Sequence, residues 1–85
     1  MDIIGIIRTK LLTLQPHHLE VQDESSKHAG HSGHKPGQVT HIRITMVSDQ
    51  FKGQTSLQRH QQIYQLLASE IQQLHAIQLS LKLPE

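Results

Sequence analysis

Between positions 40 and 47 apolar and polar residues alternate, with Ile42, Ile44 and Met46 on one face and His41, Arg43 and Thr45 on the other. That pattern is a half-buried strand, and its apolar face has to be covered by other elements of the chain. What can cover it is limited, because apolar residues are 35% of the 85 and aromatics only 2%. Phe51 and Tyr64 are the only Phe, Tyr or Trp rings. The core is therefore expected to be aliphatic, built of Ile, Leu and Val.

The covering elements are legible on both sides of this strand. Asp2 can cap a first helix in which Ile3, Ile4, Ile6, Ile7, Leu11, Leu12 and Leu14 recur at helical spacing. Pro16 ends it, because the residue before a proline is pushed out of the α region. Leu19 and Val21 then alternate with Glu20 and Gln22, giving a first strand. Positions 23–38 are polar, with Gly30, Gly33, Pro36 and Gly37, and form a long connection. A connection of this length inside a compact domain is more often functional than accidental. The two flanking strands are expected to pair as an antiparallel hairpin.

Beyond it, Ser48, Asp49 and Gly53 punctuate a turn. Leu57, Tyr64, Leu67, Ile71 and Leu74 mark one stripe of a long amphipathic helix, roughly 56–73, widened by Ile63 and Leu66. Ile77, Leu79, Leu81 and Leu83 alternate with Gln78, Ser80 and Lys82 to give a third strand, closed by Pro84. The expected architecture is one α+β domain over residues 1–85, a three-stranded sheet with helices packed on one face.

Charge and composition exclude several functions. Eight Lys and Arg against seven Asp and Glu leave a net charge of +1, too balanced for a strong nucleic-acid field. No apolar run reaches the roughly 18 residues needed to span a bilayer. The first residues lack the basic region and cleavage site of a secretory signal. With no cysteine there is no disulfide framework, which fits a reducing compartment, and a cytoplasmic location with no membrane is expected. There is no cysteine nucleophile, no G-x-S-x-G and no acid/base pair placed by a motif, so the chain reads as a non-enzyme.

Histidine is the chemically loaded residue, at eight copies. Three fall in the polar connection as His28-Ala29-Gly30-His31-Ser32-Gly33-His34. Imidazole is the commonest metal ligand. Three of them could build an open zinc or nickel site, although the glycines between them preorganise it poorly. Lacking thiols, the chain cannot hold an iron–sulfur cluster alone; another molecule must supply the sulfur.

The remaining polar positions have plain readings. His75, at the junction of the long helix and the last strand, reads as a histidine satisfied by a nearby carbonyl. His41 and Arg43 read as an exposed strand face, and Asp23 and Glu24 as a solvated strand exit. Arg59-His60 open the long helix, where a cation opposes the helix dipole and calls for an anion, a partner or a local carboxylate such as Asp49. Gly30-His31-Ser32-Gly33 matches the G-x-x-G of RNA-binding KH domains, but that loop lies between helices and this tetrad between strands. Between the helices stands Phe51-Lys52-Gly53-Gln54, with one glycine.

Several segments together resemble the BolA family. They are Leu19-Glu20-Val21 with Asp23-Glu24-Ser25, His28-Ala29-Gly30-His31, Thr40-His41-Ile42 with Val47-Ser48, Phe51-x-Gly53, Arg59-His60, Ile63-Tyr64, His75-Ala76-Ile77 and the closing Pro84-Glu85. They cover essentially the whole chain in the family's order. The departures are Ile42 where Phe is usual, Gln61 where Arg is common, and Val39 in place of an acidic residue.

The resemblance implies a fold similar to a class II KH domain, with order α-β-β-α-α-β and a mixed sheet. It also implies a partner, a monothiol glutaredoxin, with which such proteins share a [2Fe-2S] cluster whose sulfur ligands include the partner's glutathione. His75 matches the family's cluster-ligating histidine. A loop residue, His31 or His28 with His34 third, would complete the pair. Arg59, His60, Lys52 and His41 are the candidates for contact with the partner or with DNA. Some bacterial members are regulators of morphology and stress genes, which keeps a DNA-binding reading beside the adaptor one. A weak homodimer of the free chain is also left open.

Overall fold

A computed structural model describes residues 2–25 and 39–85. Helix α1 (Ile3–Leu12) begins at Asp2, whose side chain accepts the Ile4 N–H, and ends at Thr13. Ile7 and Leu11, four apart, are its fully buried residues. The chain then reverses through Gln15, held at φ 51°, and Pro16. Strand β1 (His18–Asp23) follows, and the His17 N–H already donates to the Val47 carbonyl at 2.7 Å.

Strand β2 (His41–Val47) is the centre of the sheet, whose order is β1-β2-β3. β1 pairs with it antiparallel, from His18 opposite Val47 to Asp23 opposite Ile42, as the hairpin expectation required. Strand β3 (Ala76–Lys82) pairs with its other edge in parallel, from His41 beside Ala76 to Val47 beside Lys82. Parallel neighbours cannot be joined by a tight turn, so the chain between them must cross over the sheet. It does so through a 3-10 turn (Asp49–Phe51), α2 (Ser56–Leu66) and α3 (Ala68–Ile71). The result is an α+β fold with a mixed three-stranded sheet.

The expected single helix over 56–73 is broken. Leu67, at φ −103° and ψ 19°, separates α2 from α3. Its apolar stripe is also rotated from the expected one. Ile63 and Leu67 are fully buried, whereas Leu57 is 67% and Tyr64 42% exposed. Successive residues of a helix are about 100° apart, so Leu57 and Tyr64 share a face that Ile63 does not. The crossover turns the Ile63 face to the sheet.

Ile7, Leu11, Ile63 and Leu67 from the helices meet Ile42, Ile44, Met46 and Leu81 from the sheet around Phe51, all at most 8% exposed. The opposite sheet face carries Glu20, Gln22, Arg43, Thr45, Gln78 and Ser80 in register. The core is aliphatic around one phenylalanine, as the composition dictates. Among the described residues no helix is long and apolar enough to cross a membrane.

Candidate functional site

The parallel register sets the site. Because His41 lies beside Ala76, the residue before β3, His75, comes to rest next to Thr40. Both the His75 and Ala76 N–H groups donate to the Thr40 carbonyl, at 2.8 and 3.2 Å. His75 itself is exposed, and its ring nitrogens make no hydrogen bond among the described residues. The carbonyl expected to satisfy this histidine is present, but it satisfies the backbone and leaves the imidazole to solvent.

Beneath it the strand ends are braced by buried polar groups. Ser25 Oγ accepts the N–H of Thr40 at 2.9 Å and that of His41 at 3.2 Å, and the Glu24 N–H donates to the His41 carbonyl at 2.8 Å. Asp23 Oδ1 accepts the Ser25 N–H at 2.9 Å. Ser25 and Thr40 are 6% and 3% exposed, so these bonds form out of water, where unpaired donors would be costly. The brace holds together the two points between which residues 26–38 run. His28, His31 and His34, with the Gly30–Gly33 tetrad, lie outside the described residues.

Two plain readings are corrected here. His41 is 6% exposed rather than part of an open strand face, with Nδ1 2.9 Å from Thr40 Oγ1 and its ring centroid 5.2 Å from that of His75. It points to the polar side of the sheet, but the Asp23–Ser25 turn and His75 close over that end. Glu24 is no solvated exit either: it is 8% exposed and pairs with Arg43 Nε at 3.2 Å.

A shallow groove of about 280 Å³ runs beside His75, lined by Tyr64, Ile71, Leu74, Ala76 and Ile77. A larger hollow, about 590 Å³, lies on the polar sheet face between Arg43, Thr45, Gln78 and Lys82 and contains no imidazole. The smaller groove is the one that holds an exposed imidazole, that of His75.

The basic candidates lie elsewhere. Arg59 donates to the Leu81 carbonyl at 3.4 Å, and the Ser48 N–H donates to the Lys82 carbonyl at 3.1 Å. Arg59 and the turn leading to Lys52 are thus at the far end of β3, roughly 20 Å from His75 at about 3.3 Å per residue. His60 Nδ1 is engaged with the Ser56 carbonyl one turn back, at 2.8 Å. The carboxylate expected to answer these cations, Asp49, instead pairs with His17 Nε2 at 2.9 Å. The structure therefore separates the imidazole site from the basic cluster.

As to ligand chemistry, no three His, Asp or Glu side chains converge among the described residues. His75 offers an exposed imidazole that makes no hydrogen bond among the described residues. A single imidazole can hold a metal centre only together with ligands from elsewhere. The Ser25–Thr40 brace and the contact between two histidines 34 positions apart had no local signature in the sequence.

The profile of the BolA-like protein family matches residues 11–85. The chain is 41% identical over 87 residues to the protein named DNA-binding transcriptional regulator BolA from Haemophilus influenzae, covering all of this chain and 81% of that one. It is 42% identical over 84 residues to SufE-like protein 1 of Arabidopsis thaliana, a match that covers 92% of this chain and 23% of that larger protein. Among solved structures, BolA1 from Arabidopsis thaliana superimposes with a TM-score of 0.83 at 36% identity, over 95% of this chain and 90% of that one.

Proposed function

The chain belongs to the BolA-like protein family, and on that premise we propose that it is a non-enzymatic adaptor in iron–sulfur metabolism. It would bind a monothiol glutaredoxin and share a [2Fe-2S] cluster with it. The partner's cysteine and glutathione would supply sulfur to one iron, and His75 with His31 or His28 would ligate the other. The observation that supports this reading is the exposed His75 imidazole, fixed through its backbone to Thr40 at the end of the sheet from which residues 26–38 depart and to which they return.

An imidazolium must lose its extra proton before it can ligate, so binding competes with protonation of the ring. The test mixes this chain with a monothiol glutaredoxin, glutathione and reconstituted cluster, and records visible absorption and circular dichroism. His75→Ala is expected to abolish the heterodimer spectrum, and one of His28→Ala or His31→Ala to alter it. An unchanged spectrum in His75→Ala sinks the ligand assignment.

A second reading, a DNA-binding regulator, is favoured by the name of the Haemophilus influenzae relative. Arg59, His60 and Lys52 are its residues. Each phosphate contact adds about one unit to the dependence of log affinity on log salt, so this cluster predicts a shallow salt slope. Binding of promoter DNA at low salt that is lost in Lys52→Ala and Arg59→Ala supports it. No binding at low salt removes it.

A further inference from the structure

We propose that His41 is a positioning residue for His75: its buried ring, anchored by Thr40, is the wall against which the His75 imidazole is held. The inference rests on the reading of His75 as the ligand. The two ring centroids are 5.2 Å apart and the planes are inclined by 50°, within the separation range of about 4.5–7 Å in which tilted aromatic pairs attract.

Thr40 couples the two histidines. Its carbonyl accepts the backbone N–H of His75 at 2.8 Å, and its hydroxyl lies 2.9 Å from His41 Nδ1. One residue thus fixes the main chain of the exposed histidine and the ring of the buried one. His41 is further pinned by its own N–H, which donates to Ser25 Oγ at 3.2 Å.

Among the described residues, the groove beside His75 is lined by apolar side chains and by the ring of Tyr64. No hydrogen bond among the described residues orients the His75 ring. An exposed side chain with two free torsions loses rotamer freedom when it binds, and a preset wall removes part of that loss beforehand. His41 does this by contact, without touching the metal.

The experiment uses the full chain in two states. In the free protein, carbon relaxation at the His75 Cε1 position reports ring order. In the mixture with monothiol glutaredoxin, glutathione and cluster, circular dichroism reports formation of the heterodimer. His41→Ala is expected to lower His75 ring order and to weaken formation of the cluster-bound heterodimer about three- to tenfold, the scale of freeing one side chain. His41→Phe, which keeps a ring at that place, is expected to restore both.

Should His41→Ala fail to fold, His41→Leu against His41→Phe decides the matter, because both fill the site and only Phe supplies a ring. Equal ring order and equal heterodimer formation in Leu and Phe overturn the proposal, as does a folded His41→Ala that behaves like the wild type. His75→Ala separates the two claims. If it leaves the heterodimer spectrum unchanged the ligand reading fails, whereas a changed spectrum with an inert His41 series removes only the positioning role.

Discussion

Lys10 Nζ lies 2.7 Å from Glu70 Oε1, joining α1 to α3 across 60 positions of sequence. The Glu70 side chain is 7% exposed and that of Lys10 36%, so the carboxylate is the buried partner and the ammonium the wetted one. Removal of Lys10 is therefore the more damaging change. Lys10→Ala is expected to lower stability by about 1–3 kcal/mol, the penalty for stranding a buried polar group. Glu70→Gln, which keeps shape and sheds charge, should lower it less. Replacing both partners with apolar residues should be close to neutral, since the pair's attraction mainly offsets its own desolvation. Urea unfolding of the wild type and these three variants measures this.

The rotated stripe of α2 makes a sharper forecast. Ile63 is fully buried and Leu57 is 67% exposed, although periodicity alone put both in the core stripe. Ile63→Ala should cost about 2–5 kcal/mol, because the cavity it leaves is walled by residues that cannot close on it. Leu57→Gln should change stability by less than about 0.5 kcal/mol. Unfolding midpoints at constant denaturant slope decide it. Equal losses at the two positions would mean that Leu57 and Ile63 both face the core.

The contrast shows what the sequence carried and what it did not. Strands have a two-residue period, and Ile42, Ile44 and Met46 announced the inner face of β2 without help from any distant residue. The rotation of α2 about its axis is different. It depends on where β3 pairs with β2, and a parallel pairing across 35 positions leaves no local trace. The burial of His41 has the same kind of cause: alternation places it on the polar side, but distant residues, His75 and Ser25 among them, pack against it. Glu70 was passed over because a glutamate inside a polar helix gives no sign of the lysine it will meet on α1. The imidazole at position 75 was legible as to identity through family likeness, and its exposure was not.

One local signal was available. Thr55 and Gln58 form a capping box, with Thr55 Oγ1 accepting the Gln58 N–H at 3.1 Å and Gln58 Oε1 accepting the Thr55 N–H at 2.9 Å. The S/T-x-x-E/Q spacing marks such a start in sequence. Thr55→Ala is expected to cost about 1 kcal/mol and Thr55→Ser much less, since the serine hydroxyl caps as well. Thermal unfolding followed by far-ultraviolet circular dichroism gives the comparison. A Thr55→Ser variant as weak as Thr55→Ala would show that the methyl group, and not the cap, matters there.

The Ser25 brace predicts a localised effect. Its hydroxyl takes the N–H groups of both Thr40 and His41, so Ser25→Ala removes the acceptor of both bonds. Each such loss is worth about 1–3 kcal/mol. Hydrogen exchange should quicken most at Thr40, His41 and Glu24, whose amides depend on this corner, and least at Ile44 in the middle of β2. Uniform acceleration along the strand would instead mean that the variant loosens the whole domain.

If His75 ligates the cluster as proposed, the donor atom at position 75 sets the cluster's potential. Imidazole donors hold an iron–sulfur cluster at higher potential than thiolates do, because a neutral nitrogen donates less charge than a sulfur anion. His75→Cys supplies a donor at the same backbone position, held by the same Thr40 carbonyl, and should keep the cluster where His75→Ala loses it. In the heterodimer with a monothiol glutaredoxin, His75→Cys should lower the reduction potential by on the order of 100 mV or more, part of the span between imidazole-bearing and all-thiolate clusters. Protonation of the ring competes with ligation, so the wild-type cluster should also be released on acidification earlier than the cysteine variant's is, because a thiolate bound to iron resists protonation more strongly. Redox titration followed by visible absorption measures the first effect, and absorption against pH the second. A His75→Cys complex with unchanged potential and unchanged acid release places the ligand at another residue, and the histidines between positions 26 and 38 become the next to substitute.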